Sequence, residues 1–165
     1  MRTSAAIQSA ATPKGIASFV MLASGLLSRV PLWIPQLALR FALAVPFYRS
    51  GLTKWDGWFH LSDSAVYLFT QEFQLHLFGN SIPYPVPNLV ALLSGVAEIA
   101  LPILLIVGLA TRFAALGLLF MTLIIQLTIP DGWANFHLPW AAMALALVVH
   151  GPGKLSLDHL ISKRS

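Results

Sequence analysis

Glu98 is the one charged residue between positions 73 and 111, in the middle of a long apolar run. An isolated acid at the centre of a bilayer costs about 2.5 to 3.5 kcal/mol on insertion scales, so it must be protonated, paired or facing a wet cavity. Pro102, four residues on, has no N–H for the carbonyl of Glu98, and carbonyl and carboxylate together form a local cluster of acceptors. The chemistry is therefore that of a proton or ligand site, or of an ion pair joining helices. Arg49 and Arg40 are the expected partners. Arg49 lies about 20 Å into its apolar segment at 1.5 Å per residue, and its side chain leans back toward the level of Glu98. Arg40 lies only about 6 Å in and also reads as a snorkelling residue. The two fall on nominally opposite helix faces, so both cannot meet one carboxylate without a change in helix geometry, which Pro46 can supply.

A second group gathers toward the other end of the segments: Lys54, Gln126, Asn135 and His137, with Tyr48, Trp133 and Trp140 nearby. One reading is an outer pocket where His137 titrates near neutral pH and Lys54 and Arg49 attract an anionic or quinone-like headgroup. The other is an aromatic belt with interfacial hydrogen bonds. His137 and His150 lie at opposite depths, which excludes a bis-histidine haem. His60, His76 and His137 are the remaining metal alternative, with no local ligand motif behind them, so no metal is expected. His150 and His159 read as interfacial. With no cysteine, there is no dithiol, thiolate metal site or thiol nucleophile. Phosphate loops, nucleophile triads and paired carboxylates are also missing, and no catalytic residue is assigned; catalysis by this chain alone is not expected.

The elements that position these residues follow from composition. Of 165 residues, 57% are hydrophobic and 10% charged, with mean hydropathy +0.76; a soluble domain carries about 25% charged residues. This is the composition of an all-α integral membrane protein, with lipid as its solvent. Residues 1–15 read as a flexible leader. Residues 16–30 read as an interfacial helix, with a cleaved signal as the alternative. Four spans are expected within 36–150, at about 36–53, 88–109, 112–129 and from Trp133 to near His150, with a long outer loop at 55–87. Inside that loop, Val66, Phe69, Phe73 and Leu77 stand at helical spacing and predict an amphipathic helix over 62–78. Gly95, Gly108 and Gly117 read as close-packing positions. Residues 151–165 form an amphipathic tail, read as an inner-surface anchor with Asp158 facing Lys154 or, alternatively, as a docking segment for a partner.

Four spans put both termini on one side. That side receives Arg2, Lys14, Arg29, Arg112, Lys154, Lys163 and Arg164, against Lys54 alone opposite. The asymmetry predicts cytoplasmic termini in a bacterial-type inner membrane. The same placement explains the pI of about 9.9 without nucleic acid.

Three strings then resemble the DoxX family of small four-helix membrane proteins: Arg40 with Phe47-Tyr-Arg-Ser-Gly-Leu-Thr-Lys54; Glu98 followed by Leu104-Leu-Ile-Val-Gly-Leu-Ala-Thr-Arg112; and Gly151-Pro-Gly-Lys-Leu-Ser-Leu-Asp-His159. The resemblance implies an antiparallel four-helix transmembrane bundle. It also implies a redox setting, since the family is named after a subunit associated with a terminal quinol oxidase, and its tail resembles members encoded beside metal-handling proteins. The function so implied is an accessory membrane subunit of a redox or metal-stress-related assembly, with a membrane or periplasmic protein partner. A quinone-interacting oxidoreductase subunit and a small proton-coupled transporter centred on Glu98, acting as a homo-oligomer, are the alternatives. No cofactor other than a quinone is suggested.

Overall fold

The computed structural model describes residues 15–58 and 60–164, so the leader expected at 1–15 lies, but for Gly15, outside the described residues. It is mostly helical. Two units are distinguished, residues 1–31 and residues 32–165. In the first, α1 (Ile16–Leu27) is a mostly apolar helix of 12 residues with no side-chain cap at its start. At 1.5 Å per residue it is about 18 Å long, too short to cross a hydrocarbon core.

The second unit is built on α2 (Trp33–Leu52), α4 (Pro87–Val107), α5 (Thr111–Thr128) and α6 (Leu138–His150). A short 3-10 turn at Pro130–Gly132 and a π-helical turn at Trp133–His137 lead into α6. Among the described residues, three stretches are long and apolar enough to cross a membrane: Pro87–Val107, Thr111–Thr128 and Pro130–His150. Helix α2 packs on α4 and α6, α4 on α5, and α5 on α6. Each contributes a buried stripe at three- and four-residue spacing. In α4 the stripe is Ala91, Gly95, Glu98, Pro102 and Leu105; in α2 it is Arg40, Leu43, Ala44, Phe47 and Gly51. Small residues let the backbones approach. A Cβ on Gly51 would come within 2.9 Å of the backbone of Glu98, and one on Gly95 within 2.9 Å of the Trp55 ring.

The 55–87 connection departs from the sequence expectation. Of the helix expected over 62–78, only the first part is helical, as α3 (Asp63–Tyr67) running into a π-helical turn at Leu68–Glu72. Phe73 is extended, and β1 (Gln74–Leu77) pairs antiparallel with β2 (Asn80–Pro83). Phe78 and Gly79, with φ of 51° and 81°, form the two-residue turn, the left-handed pair that a tight hairpin requires. The helical spacing ends at Phe73 because the hairpin gains tertiary partners. His76 Nδ1 bonds the Leu127 carbonyl at 3.2 Å, and the Tyr84 hydroxyl meets Thr128 Oγ1 at 2.6 Å, both at the end of α5.

At the opposite end, the three family-like strings meet in one node. Arg40, 1% exposed, is not a snorkelling residue. Its Nε donates to the Leu105 carbonyl at 2.6 Å and Nη2 to that of Ile106 at 2.5 Å. Its Nη1 donates to the carbonyls of Leu155 at 2.6 Å and Pro152 at 3.2 Å. The guanidinium thus caps the carbonyl end of α4, where the helix dipole favours a cation, and pins the tail to it. Gly108 closes α4 in the left-handed region with φ 75°; a Cβ there would lie 2.7 Å from Arg40 Nη2.

The tail carries α7 (Leu157–Ser162), N-capped by Ser156, whose Oγ accepts from the His159 amide. Asp158 does not face Lys154. Its two carboxylate oxygens accept from the amides of Ala110 at 2.7 Å and Thr111 at 2.9 Å, capping the start of α5. Removing that cap in Asp158→Ala is expected to cost about 1 to 2 kcal/mol. A lowered melting temperature in detergent checks it, and an unchanged one would deny the cap any weight.

Candidate functional site: a buried ion pair in the wall of an apolar cavity

Because Gly51 packs directly on Glu98, α2 ends at the depth of Glu98 rather than a full turn or more beyond it. Lys54, just past that end, is thereby delivered to the carboxylate. Its Nζ lies 2.6 Å from Glu98 Oε2, and both residues are buried. Lys54 also donates to Ser50 Oγ at 3.2 Å, and Ser94 Oγ donates to Glu98 Oε1 at 3.0 Å. Ser50 stands four residues before Lys54, and Ser94 one turn before Glu98 on the same helix face. The loop holds the lysine in place. Ser62 N donates to the Lys54 carbonyl, Ser62 Oγ to that of Thr53, and Trp55 forms a bridge with Leu61.

The expected arginine partners are elsewhere. Arg49 is exposed, two residues from both Phe47 and Gly51 and so about 200° around the helix from the buried stripe. Arg40 is committed to the carbonyl node. The structure therefore brings Lys54, not an arginine, to Glu98. An ammonium on a long flexible stem supplies the point charge that a single carboxylate needs.

The pair lines a cavity of about 1000 Å³. Most of the wall is apolar or aromatic, including Phe47, Phe69, Phe73, Phe120, Phe136 and Trp140, and its polar groups are few: Ser50, Ser94, Tyr84, Thr128, Asp131 and His137 besides the ion pair. A large apolar pocket with a few convergent polar groups is the usual form of a small-molecule site. Of the outer group expected from sequence, Lys54, His137 and Trp140 line it; Gln126 stands behind His137, bonded to Nδ1 at 2.6 Å. Trp140 packs its ring 5.6 Å from His137 and 5.0 Å from Phe47. Asn135 is exposed and Tyr48 half-buried, and neither lines the cavity. His60 and His76 are exposed, and among the described residues no three His, Asp or Glu side chains come together as metal ligands.

Sequence reasoning missed Ser50, Ser94, Tyr84, Asp131 and Gly132. The serines carried a signal, a polar residue one turn before each charge, whereas Tyr84 and Asp131 arrive only through tertiary packing. Gly132 is needed by close approach: a Cβ there would lie 2.5 Å from Cε1 and 2.7 Å from Nε2 of His137. Gly132→Ala is expected to displace the imidazole and to cost about 1 to 3 kcal/mol through overpacking. Loss of melting temperature with a changed tryptophan emission spectrum checks it; an unaltered spectrum would mean that the ring is not crowded.

The fold and site define a small helical membrane protein with an ion pair buried beside an apolar cavity. The chain belongs to the DoxX family, whose model matches residues 36–131. An uncharacterised protein of Haemophilus influenzae is 36% identical over 141 residues, covering 79% of this chain and 85% of that protein. No solved structure matches the chain.

Proposed function

We propose that this protein is an accessory subunit of a redox-associated membrane assembly, and that its cavity takes the head of a quinone-class lipophile. The observation that carries this reading is the cavity itself: about 1000 Å³ of largely apolar wall with Lys54 and Glu98 paired inside it. An ammonium has three N–H donors. Two go to Glu98 and Ser50, which leaves one for a carbonyl or hydroxyl oxygen of a guest. The pair itself carries no net charge, as suits an uncharged head in an apolar pocket. It also weighs against a proton-conducting bundle, because the carboxylate of Glu98 is held by Lys54 and Ser94.

In this reading α2, α4, α5 and the Pro130–His150 stretch form an antiparallel four-helix transmembrane bundle in a bacterial-type inner membrane, with cytoplasmic termini. The cluster of basic residues at 112, 154, 163 and 164 supports that orientation. The tail lies along the inner surface, and the electrons come from a protein partner. Purification in mild detergent, followed by extraction of bound lipophiles and titration with a decyl-substituted benzoquinone, tests the site. Saturable binding that weakens in Lys54→Met is expected. No bound quinone and no saturable binding would sink the proposal.

A further inference from the structure

The ring of His137 is 3% exposed, yet it lines the cavity with one nitrogen unspent. Its orientation follows from a chain of two hydrogen bonds. Pro130 offers only a carbonyl at this point, an acceptor, and Gln126 Nε2 donates to it at 3.2 Å. The other end of the amide, Oε1, is then the atom 2.6 Å from His137 Nδ1, and because Oε1 can only accept, Nδ1 carries the proton. In a neutral imidazole the remaining nitrogen, Nε2, is then a lone-pair acceptor. Nε2 makes no hydrogen bond among the described residues, and its edge of the ring lies against Gly132, which lines the cavity beside it. The cavity thus has two polar poles of opposite kind, a spare N–H of Lys54 and a spare acceptor at His137.

We infer that His137 reads a hydroxyl on the bound lipophile, so that the cavity prefers a phenol or hydroquinone head over the corresponding quinone or ether, with Gln126 as the positioning residue that sets the tautomer. This rests on the proposed binding of a quinone-class ligand and specifies its chemical form. A quinone carbonyl has no proton to give to Nε2 and would set two acceptors against each other. A hydroquinone gives its O–H to Nε2. It keeps its oxygen lone pairs for Lys54. Leaving a buried acceptor unpaired costs roughly 1 to 3 kcal/mol, and 1.4 kcal/mol is a factor of ten in affinity.

The test is calorimetric titration of the full-length protein in detergent, without oxygen, using three probes: a decyl-substituted hydroquinone, its benzoquinone and its dimethyl ether. The hydroquinone is expected to bind about tenfold more tightly than either of the others. In His137→Phe, which keeps a ring against Trp140, the three should bind alike. In Gln126→Met, which removes the acceptor that holds the proton on Nδ1, the preference should shrink. If all three probes bind the wild type equally, the assignment to His137 falls and the quinone-class reading stands. A preference that survives in His137→Phe also overturns it. If none binds, both proposals fall. Should His137→Phe not fold, the ratio in Gln126→Met decides: an undiminished preference there refutes the role of Gln126 and with it the tautomer argument.

Discussion

Glu98→Leu is expected to destabilise the protein by about 3 to 5 kcal/mol, and Lys54→Met by a comparable amount, because each leaves the other charge buried without a partner. The double replacement Lys54→Met with Glu98→Leu should recover most of that loss, since two desolvated charges are exchanged for packed apolar groups. Thermal melting of the four proteins in one detergent forms a double-mutant cycle and gives the coupling directly. Additive losses would show that the 2.6 Å contact contributes nothing to the fold. Glu98→Gln separates structure from site. The amide keeps the shape and an acceptor for Ser94 but removes the counter-charge. Retained melting with lost binding of a decyl-substituted benzoquinone would give the pair a role in binding. Lost melting would make it first a device for joining α2 to α4.

Arg40→Met should be at least as damaging. Four carbonyls, those of Leu105, Ile106, Pro152 and Leu155, lose their donor together. Hydrogen bonds to a charged group contribute about 1.5 to 3 kcal/mol each. They share one guanidinium and are not additive, so a net loss of about 3 to 5 kcal/mol is the expected result. Arg40→Lys should not rescue it, because one ammonium cannot place donors at three separate nitrogens. Faster tryptic cleavage at Lys154, followed by mass spectrometry, reads the release of the tail independently of melting. An unchanged cleavage rate would mean that the Asp158 cap holds the tail without the arginine.

Much of this could be read from the chain. The apolar runs and sparse charges located the long helices because a backbone in lipid must satisfy its own hydrogen bonds. Glu98 was legible as a special position for the same reason: a carboxylate inside such a run needs a compensating group. The outer grouping of Lys54, Gln126, His137 and Trp140 was also visible, as polar and aromatic residues at corresponding depths of neighbouring segments. The hairpin was not, since Phe73 and Leu77 continue a helical spacing that only the docking of His76 and Tyr84 on α5 overrides. The fate of Arg40 was hidden too. Its partners are backbone carbonyls, and these carry no signature in side-chain sequence.

What the sequence determined by itself is the solvent, the helices and the short list of polar residues that lipid makes costly. What only the tertiary structure decided is which of those residues meet. The reason is axial register. Periodicity states which face of a helix is buried but not how far one helix slides along another. Gly51, seated on the backbone of Glu98, sets that slide and ends α2 at the depth of the carboxylate. Lys54 rather than Arg49 is then within reach, and Arg40 is carried to the open carbonyls at the end of α4.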